Sequence, residues 1–263
     1  MDHEAQPAPD DARPSAPHRG ADAADLVLAA LDHLRRVQET SGGALGAPTL
    51  ARQEKDLREW AASLGLLLEA DTNTARLTRG GQEHDYFDEG ERVFKVTRNG
   101  VFGLSPGIEL ALVSSADDAR RFHLWEVSPI EYLEHLHLQN QLVPGLNLLE
   151  GVIFQADGDL AIVTSQPRFE LVPVTTAEID AWFASLGFVK VTTSAYYRAE
   201  DNLGIFDAHD KNLVRAGDVL VPFDVIPCHP AGGFLAFIAE TLAAGHTLRA
   251  LRTVTTTSEN RPA

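Results

Sequence analysis

The chain has 263 residues, with the hydrophobic content of 44% and charged content of 23% that are typical of soluble globular proteins. The formal net charge of −16 argues against nucleic acid as a partner, because phosphate binding needs clustered Lys and Arg, and the single cysteine excludes an internal disulfide framework. No apolar run is long enough to span a membrane and the N-terminus lacks a signal-peptide pattern, so we expect a cytoplasmic protein without a membrane partner.

The N-terminal part of the sequence predicts a tail followed by two helices. Residues 1–22 contain almost no large apolar side chains, which predicts a disordered tail. Apolar residues then recur at helical spacing over residues 24–40 and again over residues 49–68. We therefore expect a small helical segment over residues 23–70 that packs on the remainder of the chain.

Strand patterns follow, interrupted by one well-marked helix. Three short strands are predicted, over residues 75–78, 85–88 and 92–97. Ser128, Pro129 and Glu131 have the spacing of a capping box with proline in the first turn, which predicts a helix that ends before Pro144. Further predicted elements are strands over 148–154 and 160–164, a helix over 176–186 and a hairpin whose strands flank a turn at 217–218.

Three polar residues near that hairpin have the order and spacing of a phosphoryl-transfer centre. In kinases, the Asp of H-R-D-x-x-x-x-N orients the accepting hydroxyl, and the Asn and the D-F-G Asp hold magnesium ions. Asp207, Asn212 and Asp224 fit these three roles, and short apolar runs flank each of them. The alternative is that they are ordinary turn residues, which Asp and Asn often are.

Lys95 and Glu134 complete the pattern. Lys95 is one of only four lysines and lies within the apolar run of a predicted strand, where it could bind phosphate or could be structural. Glu134 on the following helix could pair with it, as could Glu131 one helical turn earlier; the alternative for both is a solvated helix face. Gly80 and Gly81 could cover a nucleotide, although a plain hairpin turn explains them equally well.

At these residues the chain resembles the kinase domain of polyvalent proteins, a family of phages and conjugative elements within the protein-kinase-like superfamily. The resemblance runs from about residue 80 to residue 230. The motifs that carry it are Gly80-Gly81-Gln82-Glu83-His84, Arg92–Thr97, Glu131-Tyr132-Leu133, Leu138-Gln139-Asn140, Ile162–Pro167, Phe206–His209 with Asn212, and Pro222–Pro227.

The resemblance implies a two-lobed α+β fold and a complete site. We expect a β-rich N-lobe over residues 71–165, a reduced C-lobe over 166–251 and a flexible tail over 252–263. ATP and Mg²⁺ would bind between the lobes, with Asp207, Lys95 and Glu134 as the catalytic residues. The nucleotide would contact Gly80, Gly81, Lys95, Thr164, Ser165 and Gln166, and the metal ligands would be Asn212 and Asp224.

The departures from the kinase pattern leave alternatives open. Ile205-Phe206 replaces the His-Arg of H-R-D, Val225-Ile226 replaces the Phe-Gly of D-F-G, and no A-P-E motif is visible. The chain could therefore be a phosphotransferase that acts on a protein or small-molecule hydroxyl, or a pseudokinase or nucleotide-binding interaction module without turnover. A third hypothesis is a metal-dependent hydrolase with a site at Asp207, His209 and Asp210. The sequence does not indicate the oligomeric state.

Overall fold

The computed structural model describes residues 25–41, 49–69, 77–79, 83–98, 100–110, 120–154, 159–170, 172–243 and 252–253. The predicted N-terminal tail and the glycine pair at 80–81 lie outside these residues, as do residues 254–263 of the predicted C-terminal tail. Within them the chain is a mixture of helices and mostly antiparallel strands, so the predicted α+β class is confirmed. No helix in the described ranges is long and apolar enough to cross a membrane.

Two helices come first, as the periodicity predicts. They are α1 (Asp25–Ser41) and α2 (Leu50–Ser63). The second helix ends five residues before the predicted position, since Gly65 adopts a φ of +69° that terminates a helix. Leu67–Leu68 then form strand β1, which pairs in parallel with a strand further along the chain.

The largest sheet has six strands in the order β1-β7-β8-β4-β3-β2. Apart from the parallel β1–β7 pair, its neighbours are antiparallel. Its remaining strands are β2 (Thr78–Arg79), β3 (His84–Glu89), β4 (Arg92–Thr97), β7 (Leu148–Phe154) and β8 (Leu160–Pro167). Because β4 lies near the middle of this sheet, Lys95 extends from a well-supported strand.

A hairpin and a helix separate β4 from β7. The hairpin consists of β5 (Leu104–Leu110) and β6 (Arg120–Glu126), which the sequence pattern did not reveal. Strand β15 (Arg252–Thr253), within the predicted flexible tail, pairs in parallel with β6. Helix α3 (Pro129–Leu142) follows the hairpin and begins at the predicted capping box: the Glu131 carboxylate accepts a hydrogen bond of 2.8 Å from the Ser128 backbone N–H.

The C-terminal half contains a helix on each side of a strand-rich segment. Helix α4 (Thr176–Ser185) precedes it and α5 (Gly232–Ala243) follows it. A four-stranded sheet in the order β14-β11-β10-β9 is formed by β9 (Val189–Thr192), β10 (Ala195–Arg198), β11 (Leu203–Phe206) and β14 (Ile226–Cys228). The predicted hairpin is β12 (Leu213–Ala216) and β13 (Val219–Pro222), and its entry and exit place residues 207–212 and 223–225 side by side.

Separate apolar clusters support the two halves. Leu31 and Leu57 of the N-terminal helices pack with Leu133 of α3 and with residues of β7 and β8. Phe183, Tyr196 and Ile205 form the centre of a second cluster around α4 and the four-stranded sheet. The division into an N-lobe and a C-lobe at residue 165 stays a prediction.

The capping box of α3 gives a stability prediction. Replacing Ser128 by Ala removes the side-chain acceptor of the Glu131 N–H, which is typically worth about 1 kcal/mol and lowers the melting temperature by about 2–4 °C in a chain of this size. Thermal denaturation measures the effect. Ser63→Ala is the control, because the Ser63 hydroxyl donates to the Trp60 carbonyl at an exposed helix end; an equal loss in both variants would contradict the prediction.

Candidate functional site

A cavity of about 480 Å³ lies between the large sheet and the C-terminal half. Strands β3 and β4 and one face of α3 form one wall, and the segments around Asp207 and Asp224 form the other. Lys95, Asp207 and Asp224 all line this cavity. The structure thus brings Lys95 together with Asp224, which is 129 residues further along the chain.

Lys95 and Asp224 form an ion pair across the cavity. The Lys95 Nζ lies 2.6 Å from the Asp224 Oδ1 and 3.5 Å from the Phe223 carbonyl oxygen. The Lys95 side chain is 16% exposed and that of Asp224 is 50% exposed. Burial pushes the pKa of Asp224 upward, but the charge and hydrogen bond of Lys95 outweigh this and hold that pKa below its ordinary value.

Asp207 and Asn212 are joined by two hydrogen bonds. The Asn212 Nδ2 donates to the Asp207 backbone carbonyl at 2.8 Å and to its Oδ2 at 2.7 Å. Asp207 has a φ of +55°, an uncommon conformation outside glycine that the surrounding structure must stabilise. Because both N–H groups of the buried Asn212 amide bind Asp207, its amide oxygen is the atom left for a cation. The Asp224 N–H donates to the Asn212 carbonyl at 3.3 Å and links the two segments.

Glu134 does not take the predicted position beside Lys95. Its carboxylate lies 2.8 Å from the guanidinium of Arg35 on α1, while Glu131 caps α3. The reason is helical periodicity: successive residues are rotated by about 100°, and the face of α3 that lines the cavity carries Tyr132, His135, Leu136 and Gln139. The Lys95–Glu134 pairing is therefore corrected, and Asp224 is the partner of Lys95.

The predicted nucleotide contacts at the end of β8 are also corrected in part. Thr164 and Ser165 are buried, and Ser165 accepts a hydrogen bond of 2.8 Å from Arg92. Strand β8 lies between β4 and β7, so its backbone groups pair with neighbouring strands on both sides. Of the three predicted residues only Gln166 lines the cavity.

Glu83 is a cavity residue whose role the sequence did not indicate, although it belongs to the motif Gly80–His84. Its carboxylate accepts a hydrogen bond from the Leu104 backbone N–H. Burial and then the negative charge of Asp224 raise its pKa from 4.5 to about 7, against a smaller opposing effect of Lys95. The cavity thus contains a carboxyl group that is partly protonated at neutral pH.

A partly buried contact connects β3 to α3 beside Glu83. The His84 Nε2 lies 3.1 Å from the Tyr132 hydroxyl. Burial, with a further effect of Lys95, lowers the pKa of His84 to about 4, so its imidazole is neutral at physiological pH. Burial also raises the pKa of Tyr132, whose hydroxyl hydrogen-bonds Thr164. These residues form a neutral, hydrogen-bonded link between the sheet and the helix.

The oxygen atoms of Asp224 and Asn212 suit magnesium. Mg²⁺ takes oxygen ligands, usually one or two carboxylates together with water and substrate phosphates. In the part of the chain that the structure describes, no three His, Cys, Asp or Glu residues come together as a metal-binding group. His209 lies 3.4 Å from Asp207 and 3.8 Å from Asp210, and the hydrolase hypothesis at these three residues stays a hypothesis. A magnesium site at Asp224 and Asn212 that is completed by phosphate oxygens does not need three such residues.

A strand lysine, a loop Asp–Asn pair and a second aspartate around one cavity are the groups of a kinase-like centre. Residues 115–227 match a family model described as Serine/Threonine/Tyrosine Kinase found in polyvalent proteins. This match confirms the predicted resemblance over those residues, which include Asp207, Asn212 and Asp224, and supports kinase-like activity in general. Lys95 and Glu83 lie N-terminal to the matched stretch. No curated protein and no solved structure matches the chain.

The pKa of Glu83 predicts how pH changes stability. Between pH 4.5 and about 7 the unfolded chain has lost this proton while the folded chain keeps it, so folding stability decreases as pH rises through that window. Glu83→Gln removes this dependence, and we expect it to be more stable than wild type at pH 8 by the order of 1–3 kcal/mol, with the difference vanishing near pH 4.5. Urea denaturation at both pH values measures this difference.

The matched control for Glu83 is Glu91, an exposed acid in the turn between β3 and β4. Glu91→Gln is expected to change stability by less than about 0.5 kcal/mol at either pH. A Glu83→Gln variant whose stability relative to wild type is the same at pH 4.5 and pH 8 would show that Glu83 does not keep its proton in the folded chain.

Proposed function

We propose that the chain is a kinase-like phosphotransferase that uses ATP and Mg²⁺ and transfers the γ-phosphoryl group to a hydroxyl of a protein or a small molecule. The observation that carries this proposal is the convergence of Lys95, Asp207 and Asp224 on one cavity with Asn212 directly behind it. The family match over residues 115–227 supports the same class of activity.

Lys95 is the proposed phosphate-binding residue. It is one of two Lys or Arg side chains among the described residues that line the cavity, the other being Lys211. The acidic lining residues are Glu83, Asp88, Asp207 and Asp224, so a bound triphosphate needs an ammonium group and metal ions to offset the local negative charge. Asn212 and Asp224 would hold Mg²⁺, which supplies neutralisation of the phosphate oxygens when bound.

Asp207 is the proposed base. Its Oδ2 accepts a hydrogen bond from Asn212, and its Oδ1 lies 3.4 Å from the His209 Nε2. The carboxylate is thus oriented by a neighbouring amide and is 37% exposed, so an acceptor hydroxyl can reach it. In the proposed reaction Asp207 accepts the hydroxyl proton as the acceptor oxygen bonds to the γ-phosphorus and the bond to ADP breaks.

The base of the nucleotide would lie near the exit of β8. Gln166 contributes its side chain to the cavity there, next to Val93 and Phe223. An apolar residue and an aromatic ring on opposite walls suit a flat purine ring. This part of the proposal replaces the side-chain contacts of Thr164 and Ser165.

Lys95→Met gives the first test of the proposal. The variant keeps much of the side-chain stem, and the Asp224 carboxylate that loses its partner is half exposed, so we expect little loss of stability. ATP affinity or turnover should fall about 10- to 150-fold, because a hydrogen bond to a charged group is worth about 1.5–3 kcal/mol. Isothermal titration with Mg²⁺·ATP and a γ-phosphate transfer assay give the two quantities.

Lys190→Met is the internal control for Lys95→Met. Lys190 also lies on a strand, but its ammonium pairs with Asp180 at 2.7 Å and it does not line the cavity. Its loss should leave nucleotide binding unchanged. Wild-type ATP binding and turnover in Lys95→Met would refute the assignment.

Asp207→Ala and Asp224→Ala separate the phosphotransferase from a pseudokinase. Whether the wild-type protein is a phosphotransferase or a nucleotide-binding pseudokinase, Mg²⁺·ATP should raise its melting temperature, but only the enzyme yields phosphorylated product or ADP. For the enzyme, Asp207→Ala should retain nucleotide binding and lose turnover by at least about 100-fold, and Asp224→Ala should also lose its dependence on magnesium. Turnover unchanged in both variants would rule out the proposed site.

A further inference from the structure

Three buried side-chain amides form a chain of hydrogen bonds that ends on the backbone carbonyls of Phe223 and Val225, the two neighbours of Asp224 in sequence. They come from α3, from the turn after it and from β8: Gln139, Asn147 and Gln166, each at most 5% exposed. We call these three residues the amide relay. The kinase pattern assigns none of them to the metal, the phosphates or the acceptor. Gln166 alone has another predicted role, as a contact of the nucleotide.

The relay is continuous from one carbonyl to the other. The Gln166 Nε2 donates to the Phe223 carbonyl at 2.8 Å and to the Asn147 Oδ1 at 2.6 Å. The Asn147 Nδ2 donates to the Gln139 Oε1 at 2.7 Å, and the Gln139 Nε2 donates to the Val225 carbonyl at 2.5 Å. Both ends are backbone acceptors, so turning any one amide around would place two acceptors or two donors face to face.

Together with a contact from the other wall, the relay fixes the backbone of Asp224 from three elements. Gln166 on β8 holds the carbonyl before it, Gln139 on α3 holds the carbonyl after it, and the Asn212 carbonyl accepts its N–H. The Asp224 side chain is half exposed and its carboxylate contacts Lys95, so these backbone contacts and the Lys95 ammonium together determine where the carboxylate lies. Asn147 is itself fixed, because its N–H and carbonyl both bond to Asn140.

We propose that Gln139, Asn147 and Gln166 are positioning residues that set the place of the Asp224 carboxylate for magnesium. This inference rests on the proposed function, in which Asp224 is a metal ligand. The relay connects α3 to the Asp224 segment, as a charged pair between Glu134 of α3 and Lys95 of β4 was predicted to connect the helix to the reacting centre. The connection is made by neutral amides, and it acts on the backbone rather than on the lysine.

Single-atom changes test the relay. In Gln166→Glu and Asn147→Asp an N–H₂ donor becomes an acceptor that faces another acceptor, so the chain of hydrogen bonds is broken without change of size. We expect the Mg²⁺ concentration for half-maximal turnover to rise about tenfold or more, because a carbonyl beside Asp224 loses its donor and the segment that carries the carboxylate is no longer held in place. In Asn147→Asp the KM for ATP at saturating Mg²⁺ should change less than the magnesium requirement; Gln166→Glu is compared by its magnesium requirement alone, because Gln166 also lies at the proposed site of the nucleotide base.

Gln139→Met and Gln141→Glu complete the set. Gln139→Met approximately keeps the side-chain volume and adds no charge. It therefore tests the relay even if Gln166→Glu and Asn147→Asp fail to fold because of their new buried carboxylates. Gln141 lies on the same helix, is exposed and contacts His137, and Gln141→Glu should behave as wild type. Loss of turnover in Gln139→Met with an unchanged magnesium requirement would indicate a merely structural role and would overturn the proposal.

Hydrogen exchange makes the inference independent of activity. In Gln139→Met the amide of Asp224 should exchange about tenfold faster than in wild type, while amides of the paired strands β7 and β8 keep their protection. Unchanged protection at Asp224 would overturn the relay whether or not the protein is an enzyme. If the amide of Asp224 exchanges faster in Gln139→Met but the wild-type protein neither binds nor turns over ATP, the result would support the relay and refute the proposed function.

Discussion

The ion pair between Lys95 and Asp224 joins the two halves of the molecule at the cavity. Its two residues come from the middle of the six-stranded sheet and from the segment after the β12–β13 hairpin. Removing an ammonium from water is costly unless a partner lies close by, and at 2.6 Å the Asp224 carboxylate is such a partner. The pair is open to solvent on the aspartate side, so a competing cation or anion can reach it. A site in which Lys95 turns to a phosphate and Asp224 turns to a metal ion needs solvent access of this kind.

The charges around this pair are unevenly distributed. Four acidic residues line the cavity against two lysines, in a chain whose formal net charge is −16. Burial, and after it the negative charge of Asp224, raises the pKa of Glu83 to about 7, whereas Lys95 holds the pKa of Asp224 below its ordinary value. A cavity of this kind attracts cations. The same negative charge disfavours a bound polyphosphate unless cations accompany it, which is the reason that the proposal includes Mg²⁺.

Local sequence patterns predicted the residues whose positions depend on short spacings. Asp207 and Asn212 are five residues apart in one turn, and their side chains meet because that turn brings them together. Asp224 follows a hairpin whose register is fixed by its own strands, so its return to the same place could also be read from spacing. The capping box likewise located the start of α3 correctly.

The errors concern the direction in which a correctly predicted element faces. Helix α3 was predicted, but its rotation depends on α1 and α2, whose apolar residues pack against Leu133, and this rotation turns Glu134 toward Arg35. Strand β8 was predicted too, but its central place in the sheet buries Thr164 and Ser165. A single sequence carries no direct signal for such long-range packing. The hairpin β5–β6 was missed for a different reason: β5 contains Pro106 and Gly107, two residue types that are depleted in strands.

The same packing explains why the connection between α3 and the cavity is uncharged. Glu134 on the outer face of α3 pairs with Arg35, and the face toward the cavity carries Tyr132, His135 and Gln139. Burial lowers the pKa of His135 to about 4, so this residue is neutral as well. A neutral hydrogen bond contributes less than an ion pair to a flexible exposed contact, but its direction is strictly defined and it is insensitive to salt. Such bonds suit a task that requires geometry rather than charge. The N-terminal helices therefore influence the site indirectly: they fix the rotation of α3, and α3 in turn fixes the backbone that carries Asp224.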